Sequence, residues 1–287
     1  KMKQISILGC GWLGMPLAKS LLEKGFSVNG STTSLEKISA IQSNGIQPFQ
    51  IELSETEIKG EIDSFLKNSE ILIIDIPPKL RGISSENFVK KIENLIPFIE
   101  KAKIEKVIFI SSTSVYSDAP LTIFRVTEST KPNPETESGK QLLATEILLQ
   151  SNQNFKTTVV RFGGLIGEDR HPIHFLAGRK NIENPEAPIN LIHQEDCIGI
   201  IEAIVKKEYW DETINAVAPF HISRIAYYTQ KALENKSNGT LKVKIFLGGE
   251  IQNFKFTTTI LGWIPRKFHT NPSCSFGGDA VTRSTCF

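Results

Sequence analysis

One short glycine-rich run constrains what this chain can fold into more than any other feature of its sequence. The run reads Gly9-Cys10-Gly11-Trp12-Leu13-Gly14 and fits the pattern G-x-G-x-x-G. It follows the apolar residues 3–8, which predict a strand, and it opens residues 12–24, which predict a helix. Because the pattern stands between a strand and a helix, it indicates a turn that binds phosphate groups.

Each glycine of this run has its own physical role in such a turn. Gly9 would allow the tight bend, Gly11 would let the backbone approach a pyrophosphate, and Gly14 would permit close packing of the helix on the sheet. The anion would lie at the helix N-terminus, where free N–H groups and the helix dipole favour negative charge. We therefore expect a dinucleotide cofactor to be bound by Gly9, Gly11, Trp12, Leu13 and Gly14.

Predicted strands and helices alternate along the first half of the chain, as they do in βαβ units. Residues 71–76 are apolar except for Asp75, which is typical of a parallel strand buried on both faces. The predicted strands are 3–8, 26–30, 46–53, 71–76, 106–110 and 157–162, and the predicted helices are 12–24, 34–45, 86–101 and 135–149. Right-handed crossovers then give an α/β fold with a doubly wound parallel sheet of the Rossmann type.

The alternation of predicted strands and helices becomes less regular after residue 163. Two more helices and one strand are predicted there, at residues 195–206, 222–234 and 241–247. We expect residues 1–165 to form a dinucleotide-binding Rossmann domain and residues 166–265 to form a smaller C-terminal substrate-covering region interleaved with it. Residues 266–287 lack periodicity, so we expect them to be an irregular tail.

The charge and the cysteines argue against several classes of function. Lys and Arg total 33 against 31 Asp and Glu, so a net charge of +2 gives no electrostatic case for nucleic acid. No apolar run approaches the roughly 18 residues of a membrane span, and no signal-peptide pattern opens the chain. Cys10, Cys197, Cys274 and Cys286 have neither CxxC nor metal-ligand spacing. We expect a cytoplasmic protein with free thiols and no metal site.

The end of the second predicted strand bears on the choice between NAD and NADP. An NAD-selective fold usually has an acidic residue there, which binds the ribose 2′-OH. This chain instead has hydroxyl groups, including Thr32 and Thr33, while Glu36 lies farther on inside the next predicted helix. Hydroxyls at a helix N-terminus suit a 2′-phosphate, and Lys37 would help to neutralise it. The sequence favours NADP over NAD, although no arginine is present at this place.

Several further segments show a recognisable pattern in a fixed order. They are residues 107–116 (VIFISSTSVY), 76–78 (IPP), 128–134 with Glu128, Pro132 and Pro134, 161–167 (RFGGLIG) and 190–196 (NLIHQED). Together they resemble the extended short-chain dehydrogenase/reductase family, which includes the NAD-dependent epimerases and dehydratases of nucleotide sugars. The resemblance covers residues 3–233 and implies that Ile76, Pro77 and Ser111 line the cofactor. Leu8 departs from a glycine of the family pattern, which indicates an atypical branch.

The resemblance implies a catalytic arrangement that this chain has only in part. In that family a Ser or Thr orients the substrate hydroxyl, and Ser112 holds this place. A Tyr serves as general acid/base, and a Lys four residues later lowers the pKa of that tyrosine and binds the nicotinamide ribose. Lys140 holds the lysine place, but Thr136 stands where the tyrosine belongs. A threonine hydroxyl does not ionise usefully in water, so the usual acid/base is missing.

Other residues are candidates for the missing role or for substrate binding. Tyr116 would either reach the substrate or pack at the end of its strand, and Glu128 would act as an acid/base only if it were desolvated. Arg161 ends a buried strand, so we expect it to pair with a carboxylate. Three residues lie in segments that resemble substrate-facing parts of the family, with structural or solvated roles left open: Arg170, His171 and His193.

Two functions stay open on this basis. The first is an NAD(P)-binding oxidoreductase or epimerase/dehydratase-like enzyme that acts on a nucleotide sugar or a similar polyol, with Tyr116 or Glu128 replacing the missing tyrosine. The second is a non-catalytic NAD(P)-binding sensor or regulatory protein. Fold alone cannot choose between them. The expected partners are a small-molecule substrate and, as one candidate assembly, a second copy of the chain in a homodimer.

Overall fold

Ten strands and seven α-helices lie in the part of the chain that the computed structural model describes, namely residues 3–78, 86–117, 126–170 and 185–236. The strands are β1 (Gln4–Leu8), β2 (Ser27–Thr32), β3 (Gln47–Leu53), β4 (Ile58–Gly60), β5 (Ile71–Ile74), β6 (Lys106–Ser112), β7 (Lys156–Phe162), β8 (Gly164–Ile166), β9 (Leu191–His193) and β10 (Thr213–Ala216). The helices are α1 (Gly14–Glu23), α2 (Ile38–Ser43), α3 (Ile62–Leu66), α4 (Phe88–Lys101), α5 (Glu137–Gln150), α6 (Gln194–Lys207) and α7 (Arg224–Lys236).

Eight of these strands form one sheet in the order β10-β7-β6-β5-β1-β2-β3-β4. All neighbouring pairs are parallel except β3 with β4, which is antiparallel. The order reverses between β1 and β5, and in open α/β sheets ligands bind at the carboxyl ends of the strands beside such a reversal. The predicted doubly wound Rossmann sheet is therefore confirmed.

Alternate residues of each central strand point to opposite faces of the sheet and form two separate cores. On β5, Ile71 and Ile73 belong to the core that includes side chains of α1, α2 and α6. Leu72 and Ile74 belong to the other core, with side chains of α3, α4 and α5. All four residues are at most 1% exposed. This double burial explains why the strand reads as a continuous apolar run rather than as an alternating one.

The predicted helix at residues 34–45 is only partly correct. A short 3₁₀ turn at Leu35–Lys37 precedes α2, and the Ser34 side chain makes no capping hydrogen bond. The Ser34 N–H donates to Thr32 Oγ1 at 3.1 Å, and the backbone of Ser34 is extended before the turn. The short elements β4, α3 and β10 were not predicted, since three to five residues carry too little periodicity.

The chain divides into two compact units. The first comprises Lys1–Leu165 with Ile192–Val217, and the second comprises Ile166–Leu191 with Ala218–Phe287. In the second unit, the Ile189 N–H donates to the Ile222 carbonyl at 2.9 Å shortly before α7 begins. The role of the region 166–265 as a substrate-covering part stays a prediction. The predicted strand 241–247 and the tail 266–287 lie outside the described residues.

No helix within the described ranges combines the length and the apolar character needed to cross a membrane.

Candidate functional site

The turn after β1 is shaped by two glycines that the packing of the protein itself requires. Gly9 has a φ of +111°, and a Cβ there would lie 2.4 Å from the Asp75 carbonyl oxygen. A Cβ on Gly14 would lie 2.1 Å from the Gly9 carbonyl oxygen. Both distances are far shorter than a nonbonded contact, so α1 can start close against the end of β1 only with glycine at these two positions.

Gly11 differs from Gly9 and Gly14, the other two glycines of this turn. A Cβ on Gly11 would meet no atom within 4 Å, and its φ lies outside the left-handed range. Neither backbone conformation nor internal packing therefore requires a glycine there. A glycine at this place would let an external group approach the backbone, which a side chain would obstruct. The turn thus has the open space that a pyrophosphate at the N-terminus of α1 would fill.

Two side chains that sequence reasoning missed hold this turn in place. Ser31 on β2 accepts a hydrogen bond from the Gly9 N–H through its Oγ at 3.0 Å, and its carbonyl accepts from the Cys10 N–H at 2.7 Å. Gln194, the first residue of α6, donates from Nε2 to the Trp12 carbonyl at 2.6 Å. Neither contact has a local sequence signal, because each joins residues that are distant in the chain.

Asp75 follows β5 directly and lies beneath the same turn. The Gly14 N–H hydrogen-bonds to the Asp75 carboxyl group, and burial raises the pKa of that group to about 8 despite this bond. Burial and the charge of Asp75 also raise the pKa of the Cys10 thiol, to about 12, and burial raises the pKa of Cys197 on α6. The two thiols are buried and free of disulfide bonds, as predicted. Asp75 is therefore a titratable group placed against the start of α1.

The other residues predicted to line the cofactor lie at the carboxyl ends of the strands beside this turn. Thr32 ends β2 and is half-buried, and Thr33 is exposed, with its carbonyl accepting from Gln50 Nε2 at 3.4 Å. Ile76 is half-buried and Pro77 is exposed after β5. Their contact with a cofactor stays a prediction.

Ser112 and Lys140 lie on two elements that touch. Ser112 ends β6, and its Oγ accepts from the Ser114 N–H at 3.2 Å. A Cβ on Gly139 would lie 2.3 Å from the Ser114 carbonyl oxygen, so the first turn of α5 packs directly on the turn after Ser112. Lys140 follows Gly139 and is exposed, and its backbone N–H donates to the Thr136 carbonyl at 3.0 Å, whereas its ammonium group has no hydrogen bond or ion pair with any residue in the described ranges. Its ammonium group is available to a ligand.

Thr136, which occupies the tyrosine place of the family, caps α5. Its Oγ1 accepts from the Gly139 N–H at 3.1 Å, and its backbone is extended, with φ −87° and ψ 150°. Such a cap stabilises a helix by about 1 kcal/mol. Position 136 therefore lies just before the helix and has a structural hydroxyl group instead of an ionisable phenol.

Arg161 forms the predicted carboxylate pair, and its partner is Glu146 on α5. Arg161 Nη2 donates to Glu146 Oε2 at 2.6 Å and Nε to Oε1 at 3.1 Å, while Ser111 Oγ donates to Oε1 at 2.5 Å. The two charged residues are 5% and 1% exposed. Burial alone would lower the pKa of Arg161, but the hydrogen bonds and charge of Glu146 raise it above its ordinary value. The pair joins α5 to the ends of β6 and β7.

The hydroxyl group of Tyr116 is part of the same network. It accepts from Arg161 Nη1 at 2.6 Å and lies 3.0 Å from Asn215 Oδ1 and 3.2 Å from the Thr127 carbonyl, to either of which it can donate. Glu128 is occupied nearby, since its Oε1 accepts from the Asn215 N–H at 2.8 Å. Both candidates for the missing acid/base thus have protein partners. Their catalytic role stays a prediction.

The candidates for substrate binding are dispersed. His193 caps α6, where its Nδ1 accepts from the Glu195 N–H at 3.3 Å. Arg170 is exposed in the second unit, and its backbone pairs with that of Gly167. His171 lies outside the described residues. Within the described ranges, no three His, Cys, Asp or Glu side chains gather where they could hold a metal ion.

The fold and the turn together define a Rossmann-type protein with a glycine-rich turn at the start of its first helix. A family model described as NAD(P)H-binding matches residues 9–190. Protein YeeZ of Escherichia coli strain K12 is 36% identical over 233 residues, which make up 80% of this chain and 83% of that protein. The chain therefore belongs to this NAD(P)H-binding family, as the resemblance to the short-chain dehydrogenases/reductases predicts.

Two solved structures share the fold at low sequence identity. The UDP-N-acetylglucosamine 4-epimerase from Bacillus cereus has a TM-score of 0.66 and 17% identity, covering 83% of this chain and 82% of that chain. The UDP-glucuronic acid 4-epimerase from the same organism, in complex with UDP-glucuronic acid and NAD, has a TM-score of 0.66 and 18% identity. That match covers 83% of this chain and 84% of that chain. Both structures share the Rossmann-type fold that the sequence predicts.

Proposed function

We propose that this protein is an NAD(P)-dependent oxidoreductase or epimerase/dehydratase-like enzyme that acts on a nucleotide sugar or a similar polyol. The observation that carries the cofactor part is the turn at the start of α1, where Gly11 leaves open space in front of the backbone while Gly9 and Gly14 let the helix start close against β1. The substrate class rests on the solved structures of the same fold, one of which is a complex with UDP-glucuronic acid and NAD. The lone ammonium group of Lys140 beside the Ser112 turn supports a site for a hydroxylated ligand.

The residues present fit a dinucleotide, and each has a task in holding it. The pyrophosphate would lie against the backbone of Gly11, Trp12 and Leu13 at the N-terminus of α1, where the helix dipole favours an anion, while the Gly11 N–H itself donates to the Gly9 carbonyl at 2.8 Å. Lys140 donates hydrogen bonds to the nicotinamide ribose, and Ser112 donates or accepts at the substrate hydroxyl or carbonyl oxygen. The nicotinamide supplies hydride transfer when it is bound. Arg170, His171 and His193 are the proposed substrate contacts, the first two suiting a phosphate or carboxylate.

The cofactor preference we propose is NADP. Exposed Thr33, half-buried Thr32 and exposed Lys37 lie between β2 and α2 with no carboxylate at the end of the strand. Hydroxyl donors and a cation strengthen the binding of a 2′-phosphate, whereas a carboxylate acceptor strengthens the binding of a ribose 2′-OH. A Lys37→Ala variant is expected to weaken NADPH binding and to leave NADH binding unchanged. Equal loss for both cofactors would contradict the preference.

The second candidate function, a non-catalytic NAD(P)-binding sensor, is favoured by one specific observation. Thr136 and the two candidates for the missing acid/base all have structural partners: Thr136 caps α5, Tyr116 binds Arg161, and Glu128 accepts from the backbone of Asn215. A general acid/base must reach the substrate oxygen within hydrogen-bond distance. For catalysis, Tyr116 or Glu128 must therefore exchange a protein partner for the substrate.

Titration of NADPH and NADH by fluorescence tests the cofactor site. The wild-type protein is compared with Gly11→Asp, which places a carboxylate where the pyrophosphate approaches. Gly199→Asp is the matched control, because Gly199 is an exposed glycine on α6 whose added Cβ also meets nothing within 4 Å. We expect binding to be lost in Gly11→Asp and retained in the control. Absence of binding in the wild-type protein would refute the proposed function.

Turnover separates the two candidate functions. The protein is incubated with each cofactor and a panel of UDP-sugars, and products are followed by chromatography and by absorbance of the reduced nicotinamide. An enzyme would show turnover that falls in Tyr116→Phe or Glu128→Gln while cofactor binding is retained. Cofactor binding without turnover across the panel would favour the sensor.

A further inference from the structure

Asp75 lies against the start of α1, beside the turn at which we propose that a pyrophosphate binds. Its carboxyl group accepts from the Gly14 N–H in the first turn of α1, and one of its oxygens lies 3.1 Å from the position of a Cβ on Gly14. Its carbonyl oxygen is the atom that forces a glycine at position 9. The side chain thus lies against the same helix start that the turn offers to a ligand.

The groups that surround this carboxyl do not compensate a negative charge. The thiols of Cys10, from the turn, and of Cys197, from α6, both interact with Asp75 and stay neutral because burial raises their pKa values. Behind Cys197 lies another carboxyl group, Asp196, whose pKa burial also raises. No lysine, arginine or histidine forms a salt bridge with Asp75 within the described ranges. In the part of the chain that the structure describes, the Gly14 N–H and the dipole of α1 are the groups that stabilise its ionised form.

We propose that a dinucleotide binds this turn with Asp75 in its neutral, protonated form, so that Asp75 makes cofactor affinity depend on pH. An ionised Asp75 would place a negative charge beside the incoming pyrophosphate at one helix N-terminus, and the two anions would compete for the same positive potential. A neutral Asp75 removes this repulsion. Binding is then accompanied by uptake of one proton wherever the free protein is ionised at Asp75.

The dependence of cofactor affinity on pH has a fixed direction, because binding takes up a proton. At low pH Asp75 is already protonated, and cofactor affinity does not change with pH. Burial holds the pKa of free Asp75 near 8, and above that value the protein must take up a proton in order to bind. The dissociation constant then rises by up to tenfold per pH unit, because one proton is linked to one binding event. The inference rests on the proposed cofactor site.

Isothermal titration with NADH from pH 6.5 to 9.5 measures this linkage. NADH is the probe because it lacks the 2′-phosphate of NADPH, which titrates in its own right. The protein is the full chain, and each pH is measured in two buffers of different ionisation enthalpy, so that proton uptake is obtained directly. The variants are Asp75→Asn, which keeps an acceptor for the Gly14 N–H, and Cys10→Ser, which removes the neighbouring thiol.

We expect the wild-type protein and Cys10→Ser to lose affinity above about pH 8 with uptake approaching one proton, whereas Asp75→Asn binds with constant affinity and no uptake. A wild-type dissociation constant that is the same at pH 6.5 and 9.5 would overturn the inference and leave the cofactor site intact. A pH dependence that persists in Asp75→Asn would also overturn it. Absence of NADH and NADPH binding at every pH would instead refute the cofactor site itself.

Discussion

Replacement of Asp75 by asparagine should stabilise this protein, and by an amount that depends on pH. The pKa of Asp75 is raised from 3.8 to about 8 by burial in the folded state. Between these two values the native protein retains a proton that the unfolded chain releases. The free energy of unfolding therefore falls as pH rises, by about 1.4 kcal/mol per pH unit. The loss begins near pH 4 and is complete above about pH 8.

The size of the effect at neutral pH follows from the same two pKa values. Between pH 3.8 and pH 7 the free energy of unfolding of the wild-type protein falls by about 4 kcal/mol, which is a large share of the stability of an ordinary domain. Asparagine does not ionise and still offers an oxygen to the Gly14 N–H. The Asp75→Asn variant should therefore gain stability over the wild-type protein as pH rises from 4 to 8, with a gain of about 4 kcal/mol at pH 7.

Urea denaturation followed by circular dichroism at pH 5, 6, 7 and 8 measures this difference. The control is Asp63→Asn, which removes an exposed carboxylate on α3 that pairs with Lys101 at 2.9 Å. An exposed pair of this kind contributes about 0–1 kcal/mol, so the control should follow the wild-type curve. A stability difference between wild type and Asp75→Asn that stays constant from pH 5 to 8 would refute the reasoning, because it would mean that Asp75 ionises normally.

Substitutions at four further positions test the remaining structural arguments. Gly14→Ala should lower the free energy of unfolding by more than roughly 2 kcal/mol, because the added methyl group clashes with the backbone. Gly11→Ala should change the free energy of unfolding by less than about 1 kcal/mol and yet weaken NADPH binding. Thermal melts measure the stability of both variants, and fluorescence titration measures their NADPH binding. Glu146→Gln should cost about 3–5 kcal/mol because it leaves the Arg161 guanidinium buried without its carboxylate, as urea denaturation would record. Thr136→Ala should cost about 1 kcal/mol by removing the cap of α5, and Thr136→Ser should not.

Those parts of the fold that depend on short-range pattern could be predicted from the sequence. The strand before Gly9 and the helix after it are local features, and their spacing fixes the turn without knowledge of the rest of the chain. The fully apolar run 71–74 predicts a central strand because only a strand covered on both faces lacks polar alternation. The carboxylate partner of Arg161 was predicted as a type of residue, since a buried arginine needs one.

The contacts that complete the site could not be predicted, because each joins distant parts of the chain. Ser31 binds the turn from β2, and Glu146 meets Arg161 only once α5 has packed beside β7. Asp75 was visible as the one polar residue in an apolar run, but its place against Gly14 follows from the parallel pairing of β1 with β5. A strand order is needed before such neighbours can be named, and the sequence alone predicted only the class of topology.

The absent tyrosine is consistent with the backbone at its position. A tyrosine and a lysine four residues apart share one face of a helix when both are helical, since residues i and i+4 are neighbours there. Here position 136 has extended backbone, just outside α5, while Lys140 is in its first turn. A side chain at 136 therefore does not share a helical face with Lys140, and a small capping hydroxyl gives more stability there than a bulky phenol would. Position 136 therefore supplies no ionisable group beside Lys140, and among the described residues the protein partners of Tyr116 and Glu128 bear directly on whether the cofactor site supports turnover.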